Sequence, residues 1–332
     1  MRIRTWAALA FAGLIGAASA LGAFPTAPAK RIVAVGDLHG DFAAWRAILG
    51  DAGLIDAKGH WRGGTSVLVQ TGDVVDRAPD SLPIIDDLIR LHGEAKHAGG
   101  QVIALIGNHE AMVATGDLRY VDPGERRHFV TPNSAALRDR AFASVQDAVA
   151  AAARAKVPGQ PIAAIRVAWE ATLPLGQIEY QMAWRPDGRL GHWLLGNKAL
   201  AIVDGNLFVH GGLAPTYAAK GIEALNRQIV AEIRAGRPDG VLIEDENGPL
   251  WNRAYARGTA PTGDLEKALA AVGAKRMVIA HTPDLKGIVL SPNGKLARID
   301  SGISRAYGGT LSWLEIHGDQ LTPHTVRRPP AK

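Results

Sequence analysis

The apolar positions of the chain fall into short runs rich in β-branched residues, and longer stretches with helical spacing separate them. These runs are typical of buried strands and cover residues 32–35, 67–69, 102–106, 207–209 and 277–279. Strands that alternate with helices along a sequence are the signature of layered sheets covered by helices. The pattern therefore predicts an α/β fold.

Each predicted strand ends at a polar motif. The motifs carry Asp, His or Asn side chains and are Gly36-Asp37-Leu38-His39, Gly72-Asp73, Gly107-Asn108-His109, His210-Gly211 and His281-Thr282. Ligands of α/β proteins bind at the carboxyl ends of strands, because the loops there vary while the sheet holds them rigidly. We therefore expect the five motifs to form one shared site.

The middle and the end of the chain have their own patterns. Alanine-rich helical stretches are predicted over residues 134–156 and 161–172, inside a helical insertion at about residues 115–195. Strand-like pieces follow at 287–290, 296–299 and 310–317, with a turn at Pro292-Asn293-Gly294. Because no repeat or low-complexity linker interrupts the chain, we predict a single domain over residues 25–332.

The amino-acid composition excludes several classes of site and of binding partner. The 332 residues include no cysteine, which excludes disulfide frameworks, thiolate zinc sites and hydrolases with a cysteine nucleophile. The formal net charge is +5, but the basic residues are scattered along the chain. Since binding to a nucleic-acid polymer requires a clustered basic surface, we predict no such partner.

The amino terminus has the pattern of a secretory signal. Arg2 and Arg4 precede an apolar stretch, and Ala18-Ser19-Ala20 offers the small residues that signal peptidase recognises. An uncleaved membrane anchor is the alternative, but the stretch falls short of the ~20 apolar residues that a span needs. We predict a signal peptide at residues 1–20, no stable membrane span after cleavage, and a periplasmic or secreted protein.

The polar motifs supply oxygen and nitrogen donors that suit divalent metal ions. The candidate ligands are Asp37, His39, Asp73, Asn108, His210 and His281. Carboxylate, amide and imidazole donors without thiolate fit manganese, iron or zinc. Six donors exceed the needs of one open catalytic ion, and a carboxylate such as Asp73 can bridge two ions about 3.5 to 4 Å apart. We therefore predict two ions.

Two such ions create a positive centre that attracts phosphate, and they lower the pKa of bound water to give a nucleophile. Arg77 would add a bidentate donor to the phosphate. His109 would act as general acid for the leaving oxygen, with Asp76 orienting its imidazole. Each residue alone could have a structural role instead, as an aspartate in a turn or a histidine in the core. The occurrence of such motifs at successive strand ends favours a metal site.

The ordered motifs GDLHG, GDVVDR, GNHE, HGG and AHT resemble the signature of the calcineurin-like metallophosphoesterases. The arginine of GDVVDR and the glutamate of GNHE are similar to those of the phosphoprotein phosphatase branch. Within it, the segments GDVVDRAPDS, GPLWNR and IDSGISRAYGG resemble the bacterial Shewanella-like phosphatases. The resemblance implies a four-layer sandwich, in which two mixed β-sheets lie face to face between helices.

The resemblance also implies a division of the ligands. Asp37 and His39 would hold the first ion and Asp73 would bridge, while the second ion would be held by Asn108, His210 and His281. Arg253 of GPLWNR would be a second phosphate-binding arginine, although a structural ion pair is the alternative. Ala78 departs from the family pattern, which has glycine there, and alanine suits that position only if its φ is not positive.

The sequence thus predicts a metal-dependent phosphomonoester hydrolase, acting on phosphoprotein or phosphopeptide at Tyr or at Ser/Thr, or on a small phosphoester. One alternative is a hydrolase of nucleotides or dinucleoside polyphosphates on the same metal core. Another is a catalytically silent phosphate-binding module. The presence of His109, Asp76 and Arg77 beside the ligands argues against the silent module.

Overall fold

The computed structural model describes residues 30–237 and 239–330. The predicted signal peptide lies outside these residues. Within them, no helix combines the length and the apolar character needed to cross a bilayer.

The described residues form ten strands and eleven helices. The strands are β1 Arg31–Val35, β2 Val67–Gln70, β3 Gln101–Ala104, β4 Leu200–Val203, β5 Asn206–Val209, β6 Arg276–Ile279, β7 Val289–Leu290, β8 Leu296–Arg298, β9 Leu311–His317 and β10 Gln320–Val326. The helices are α1 Phe42–Asp51, α2 Ser81–His97, α3 Asn108–Ala114, α4 Ser134–Lys156, α5 Ile162–Thr172, α6 Gln177–Trp184, α7 Arg189–Leu195, α8 Pro215–Ala218, α9 Ile222–Arg234, α10 Ala254–Arg257 and α11 Asp264–Val272. A 3-10 turn spans Pro123–Phe129.

The strands form two mixed sheets of five strands each. The first has the order β10-β9-β1-β2-β3, with β1, β2 and β3 parallel and β9 and β10 antiparallel. The second has the order β4-β5-β6-β8-β7, in which β5, β6 and β8 are parallel. This arrangement confirms the predicted α/β fold with two mixed sheets.

The alternation of side chains explains why the two sheets stack. Ile32 and Ala34 of β1 point to one face and join Phe208 and Val278 of the second sheet in one buried cluster. Val33, between them, points to the opposite face and joins the cluster that includes the helices. Both faces of β1 are therefore buried, as expected for a parallel central strand.

Two strands were not predicted from the sequence. β4 is a short edge strand of the second sheet, and β10 is an edge strand that contains Pro323. Proline lacks a backbone N–H and is tolerated at a sheet edge, so its presence obscured the strand signal. The predicted third strand was also set too late, since β3 ends at Ala104 and Leu105 forms only an isolated bridge with Lys198.

The predicted insertion contains four helices, α4 to α7. Helix α4 packs mainly along α5 and buries few of its own side chains, among them Phe142. Tyr180 and Trp184 of α6 are buried, so they contribute to packing and not to an open cleft. The boundaries of the insertion, and of a single domain at residues 25–332, stay predictions.

Candidate metal and active site

The backbone of the site adopts conformations that L-residues rarely take. Among the described residues, six other than glycine have positive φ, and five of them are predicted site residues: His39, Asp73, Asp76, Arg77 and His281. Such conformations cost free energy and cluster where function requires them. The fold therefore holds these five side chains in strained loops at the ends of strands.

Two glycines allow the loops to approach each other. At Gly72, with φ +94°, a Cβ would lie 2.6 Å from the backbone nitrogen of Gly107. At Gly107 a Cβ would lie 2.2 Å from Oδ1 of Asp73. Only glycine fits this contact, which brings the loop after β2 against the loop after β3.

Glu110 fixes the same two loops. Its buried carboxylate accepts hydrogen bonds from the backbone N–H groups of Gly107 at 2.8 Å, Asp73 at 2.9 Å, Val74 at 2.7 Å and Val75 at 3.2 Å. From the sequence, Glu110 was recognised only as the glutamate of the GNHE motif. The structure shows that Glu110 positions the loop bearing Asp73 by accepting hydrogen bonds from the backbone of that loop.

His39 belongs to the first group of donors. Its Nδ1–H donates to the carbonyl of Val75 at 2.9 Å, which leaves Nε2 as an acceptor. Nε2 lies 3.9 Å from Oδ2 of Asp37 and 3.7 Å from Oδ2 of Asp73. Burial lowers the pKa of His39 to about 4, so the imidazole is neutral and can coordinate a metal ion.

His210 belongs to the second group. Its Nδ1–H donates to the carbonyl of Thr71 at 2.9 Å, and Nε2 lies 2.9 Å from Oδ1 of Asn108 and 3.3 Å from Oδ2 of Asp73. Burial would raise the pKa of Asp73, but His210 and His109 outweigh it and hold the pKa well below its usual value. Asp73 is therefore an anion shared by both groups.

His281 provides the test of whether the residues fit a metal ion. Its Nε2 is buried and has no hydrogen-bond partner among the described residues, an arrangement that costs free energy unless a cation or another partner meets this nitrogen. Burial and the neighbouring His210 lower its pKa well below the usual value, so the imidazole is neutral and its Nε2 can coordinate a metal ion.

Two clusters of donors are present, and within each the ligand atoms lie within 4.8 Å of one another. One cluster contains His39, Asp73 and His109, and the other contains Asp73, His210 and His281. The first cluster includes His109, which was predicted as the acid and not as a ligand. Asp37 and Asn108 lie outside both clusters, but Oδ2 of Asp37 is 3.9 Å from Nε2 of His39 and Oδ1 of Asn108 is 2.9 Å from Nε2 of His210. All six predicted ligands therefore lie close together, and the residues present fit divalent ions. The division of ligands between two ions stays a prediction.

Asp300 was missed by the sequence analysis. Asp300 follows the carboxyl end of β8, as the predicted ligands follow other strands, and this position in the sequence could have identified it. Its Oδ1 accepts a hydrogen bond from the N–H of Gly302 at 3.0 Å. Burial raises the pKa of Asp300 to about 6, and burial together with Asp300 and Asp73 raises that of Asp37 well above its usual value. The site therefore concentrates negative charge that a cation would stabilise.

His109 and Asp76 form a buried pair. Nδ1 of His109 lies 2.5 Å from Oδ2 of Asp76, and the backbone N–H of His109 donates to Oδ1 of Asp73 at 3.0 Å. Burial would lower the pKa of His109, but Asp73 and Asp76 outweigh it and raise the pKa above its usual value. This arrangement favours the protonated imidazole of His109, so His109 suits a proton donor better than a metal ligand.

Arg77 is an exposed cation at the rim of the site. Its guanidinium lies 3.9 Å from the ring centre of Tyr120, and its backbone N–H donates to the carbonyl of Tyr120 at 3.0 Å. Tyr307 lies 5.9 Å from the same guanidinium and 5.2 Å from the ring of His39. Neither tyrosine was predicted as a site residue, because only the fold brings them to Arg77.

Arg253 lies beside His281. Its Nη1 donates to the carbonyl of His281 at 2.8 Å and to Oγ1 of Thr282 at 3.2 Å. Within residues 30–237 and 239–330 no carboxylate pairs with Arg253, so the structural ion pair considered from the sequence is not formed among them.

Ala78 has no positive φ, so alanine is accommodated there without strain.

The chain matches known proteins over most of its length. The sequence profile described as calcineurin-like phosphoesterase matches residues 30–285. Shewanella-like protein phosphatase 2 of Arabidopsis thaliana is 33% identical over 300 residues, which cover 87% of this chain and 76% of that protein. These matches confirm the family recognised from the motifs.

Solved structures share the fold. A cold-active protein-tyrosine phosphatase of a psychrophilic Shewanella species has a TM-score of 0.66 at 23% identity, covering 90% of this chain and 81% of that one. A protein serine/threonine phosphatase of Saccharomyces cerevisiae has a TM-score of 0.53 at 12% identity, covering 92% and 82%. The chain belongs to the calcineurin-like phosphoesterase family and is a phosphatase.

Proposed function

We propose that the protein is a phosphoprotein phosphatase that uses two divalent metal ions, with manganese the first candidate and iron or zinc the alternatives. The observation that carries the proposal is the sharing of Asp73 between two donor clusters, one of which includes His109, the partner of Asp76. The residues that would hold the ions are Asp37, His39, Asp73, Asn108, His210 and His281. When bound, the ions supply an activated water and withdraw charge from the phosphoryl oxygens.

The protein's own residues complete the reaction. Because Asp76 accepts a hydrogen bond from Nδ1 of His109, the other ring nitrogen, Nε2, is free to give its proton to the leaving oxygen. The negative charge of Asp76 stabilises the imidazolium before the transfer. Loss of phosphate from a phosphorylated side chain requires this proton, because the unprotonated alkoxide or phenoxide is the poorer leaving group.

Two arginines suit the phosphoryl group. Arg77 is exposed and held by Tyr120, so its guanidinium can present two parallel N–H donors to phosphoryl oxygens. Among the described residues only Nη1 of Arg253 donates, to the carbonyl of His281 and to Oγ1 of Thr282, so its other N–H groups can meet a phosphoryl oxygen. Together they would orient the ester for displacement.

The experiment that tests the proposal is a phosphate-release assay. The purified protein is incubated with phosphotyrosine, phosphoserine and phosphothreonine peptides, with ATP and with a dinucleoside polyphosphate, in the presence of manganese or of a chelator. We expect release from peptides that stops on chelation and returns when manganese is restored. Preference for the nucleotides would replace the proposal with the nucleotide hydrolase, and metal binding without release would leave the silent module.

A further inference from the structure

A small cavity of about 230 Å³ adjoins the candidate active site. Its apolar walls are Met112, Tyr120 and Trp251. The ring of Tyr120 lies 5.2 Å from that of His109, and the ring of Trp251 stands perpendicular to that of His281 at 5.6 Å. Both aromatic walls therefore lie against candidate site residues, which places the cavity beside the site.

The rim of the cavity carries negative charge. Asp117, Glu244 and Glu246 line it together with a single cation, Arg119, which is bound to Asp117 at 2.5 Å. Neither glutamate forms an ion pair with any residue that the structure describes. Burial and repulsion by Asp117 raise the pKa of Glu244, and the opposing attraction of Arg119 does not cancel them.

The charge of the cavity is opposite to that of the neighbouring phosphate-binding residues. Arg77 lies against Tyr120, and Arg253 lies against His281, so two cations flank the place where a phosphoryl group would bind. A ligand that satisfies both regions carries an anion and a cation a few bonds apart. A nucleotide polyphosphate carries further anions instead, and the two glutamates would repel them.

We propose that this cavity receives a Lys or Arg side chain of the substrate, close in sequence to the phosphorylated residue. The inference rests on the proposed phosphoprotein phosphatase function and adds a substrate class to it. Tyr120 and Trp251 would pack against the aliphatic stem of such a side chain and face its cationic end. Glu244 and Glu246 would pair with the charge.

Synthetic phosphopeptides test the proposal directly. In an otherwise neutral phosphopeptide, Lys, Ala or Glu is placed in turn at each of the three positions before and after the phosphorylated residue. At one or more positions we expect kcat/KM for Lys to exceed that for Ala by about threefold to tenfold, the range for one or two exposed ion pairs. The preference should decline at high salt, because exposed charge pairs are screened. Equal kcat/KM values at every position would overturn the proposal.

Variants identify the cavity as the source of the preference. In Glu244→Gln/Glu246→Gln the ratio of kcat/KM for Lys and Ala peptides should fall to about one. In Glu244→Lys/Glu246→Lys, which reverses the charge at both positions, the Glu peptide should become the better substrate. The ratio is taken within each variant, so a change common to both peptides cancels. The matched control, Glu223→Gln/Glu266→Gln, alters two exposed glutamates outside the cavity and should keep the preference.

The outcomes separate the two proposals. A preference for Lys that survives in Glu244→Gln/Glu246→Gln would overturn the assignment to this cavity. Phosphate release without any dependence on flanking charge would overturn this inference and leave the phosphoprotein phosphatase in place. Release from none of the peptides would overturn both.

Discussion

At the scale of single residues, Asp73 connects the parts of the site. One carboxylate oxygen accepts the backbone N–H of His109 at 3.0 Å, and the other lies 3.3 Å from Nε2 of His210 and 3.7 Å from Nε2 of His39. Its backbone is held in the left-handed region, with φ +56°. The side chain therefore faces both donor clusters from one strained position.

Replacing Asp73 by Asn should lower the number of bound ions, because the amide removes the shared negative charge while keeping the shape. Metal content per chain, measured by elemental analysis of the purified variant, is expected to fall below that of the unchanged protein. Asp187→Asn, at an exposed turn residue, is the matched control and should keep full metal content. Retention of both ions by Asp73→Asn would show that Asp73 is not a bridge.

Replacing His109 by Asn should remove the proton donor and leave the ions in place. We expect kcat to fall by ~10²- to 10⁴-fold, the range of general acid–base catalysis, with metal content nearly unchanged. Turnover equal to that of the unchanged protein would exclude His109 as the acid.

The pH profile offers a second test of His109. The pKa of its imidazolium is raised above the usual 6.5, and the acid must carry its proton to act. The kcat of the unchanged protein should therefore be level below that raised pKa and decline as the pH rises through it. In His109→Asn this alkaline decline should disappear, and its persistence would assign it to another group.

At the scale of elements, contacts between loops hold the strand ends together. Glu110 ties α3 to the loop after β2, and Glu125 of the 3-10 turn performs a similar role at α2. The carboxyl of Glu125 is buried and accepts the backbone N–H groups of Ser81 at 2.9 Å and Leu82 at 3.1 Å, at the first turn of that helix. The start of the predicted insertion is thereby attached to the helix that follows Arg77.

The titration of Glu125 should appear in the stability of the protein. Burial raises its pKa to about 7 from 4.5, so the folded state binds this proton more tightly than the unfolded chain does. Its contribution is fully present below pH 4.5 and is lost as the pH rises through about 7. The melting temperature of Glu125→Gln, relative to the unchanged protein, should thus improve as the pH rises from 4.5 to 7. The exposed control Glu223→Gln should show no such trend, and a parallel pH dependence in both variants would contradict the prediction.

At the scale of the whole molecule, the site joins the two sheets. Asp37, Asp73 and Asn108 follow strands of the first sheet, and His210 and His281 follow strands of the second. Bound ions would therefore link the two halves of the sandwich as well as serve the chemistry. Nε2 of His281 is buried and has no hydrogen-bond partner among the described residues, so a bound ion would satisfy a polar atom that is otherwise unpaired there.

Removal of the ions should lower the thermal stability of the entire fold. An ion present at 100 times its Kd stabilises the folded state by about 2.7 kcal/mol. The melting temperature measured by calorimetry is expected to fall with a chelator and to recover when manganese is added in excess. An identical melting curve in both conditions would mean that the donor clusters bind no ion in the folded protein.

Much of the fold and of the candidate site could be predicted, because the candidate ligands follow their strands directly in the sequence. Residues 32–35 form a β-branched run, and Asp37 and His39 follow at once, so the run predicts the strand and its end predicts the ligands. Tyr120 and Trp251 could not be placed in the same way. They come from segments with no strand signal, and only the folded loops bring them to His109 and His281.

The edge strand β10 was not predicted for a different reason. β10 pairs along its whole length with β9, but its sequence is polar and contains Pro323. At a sheet edge one face and one row of backbone groups meet solvent, so neither apolar alternation nor a full set of N–H donors is required. The sequence of β10 therefore does not need the alternating apolar pattern by which a strand is recognised.

The span of the ligand set has a consequence for how the enzyme matures. The backbone N–H of His281 donates to Oδ1 of Asp37 at 3.4 Å, across 244 residues of sequence. A nascent chain therefore cannot assemble the complete set of donors until nearly all of it has emerged and folded. The proposed two-ion site would therefore be complete only in the folded chain, and the ions available where folding finishes would be the ones that fill it.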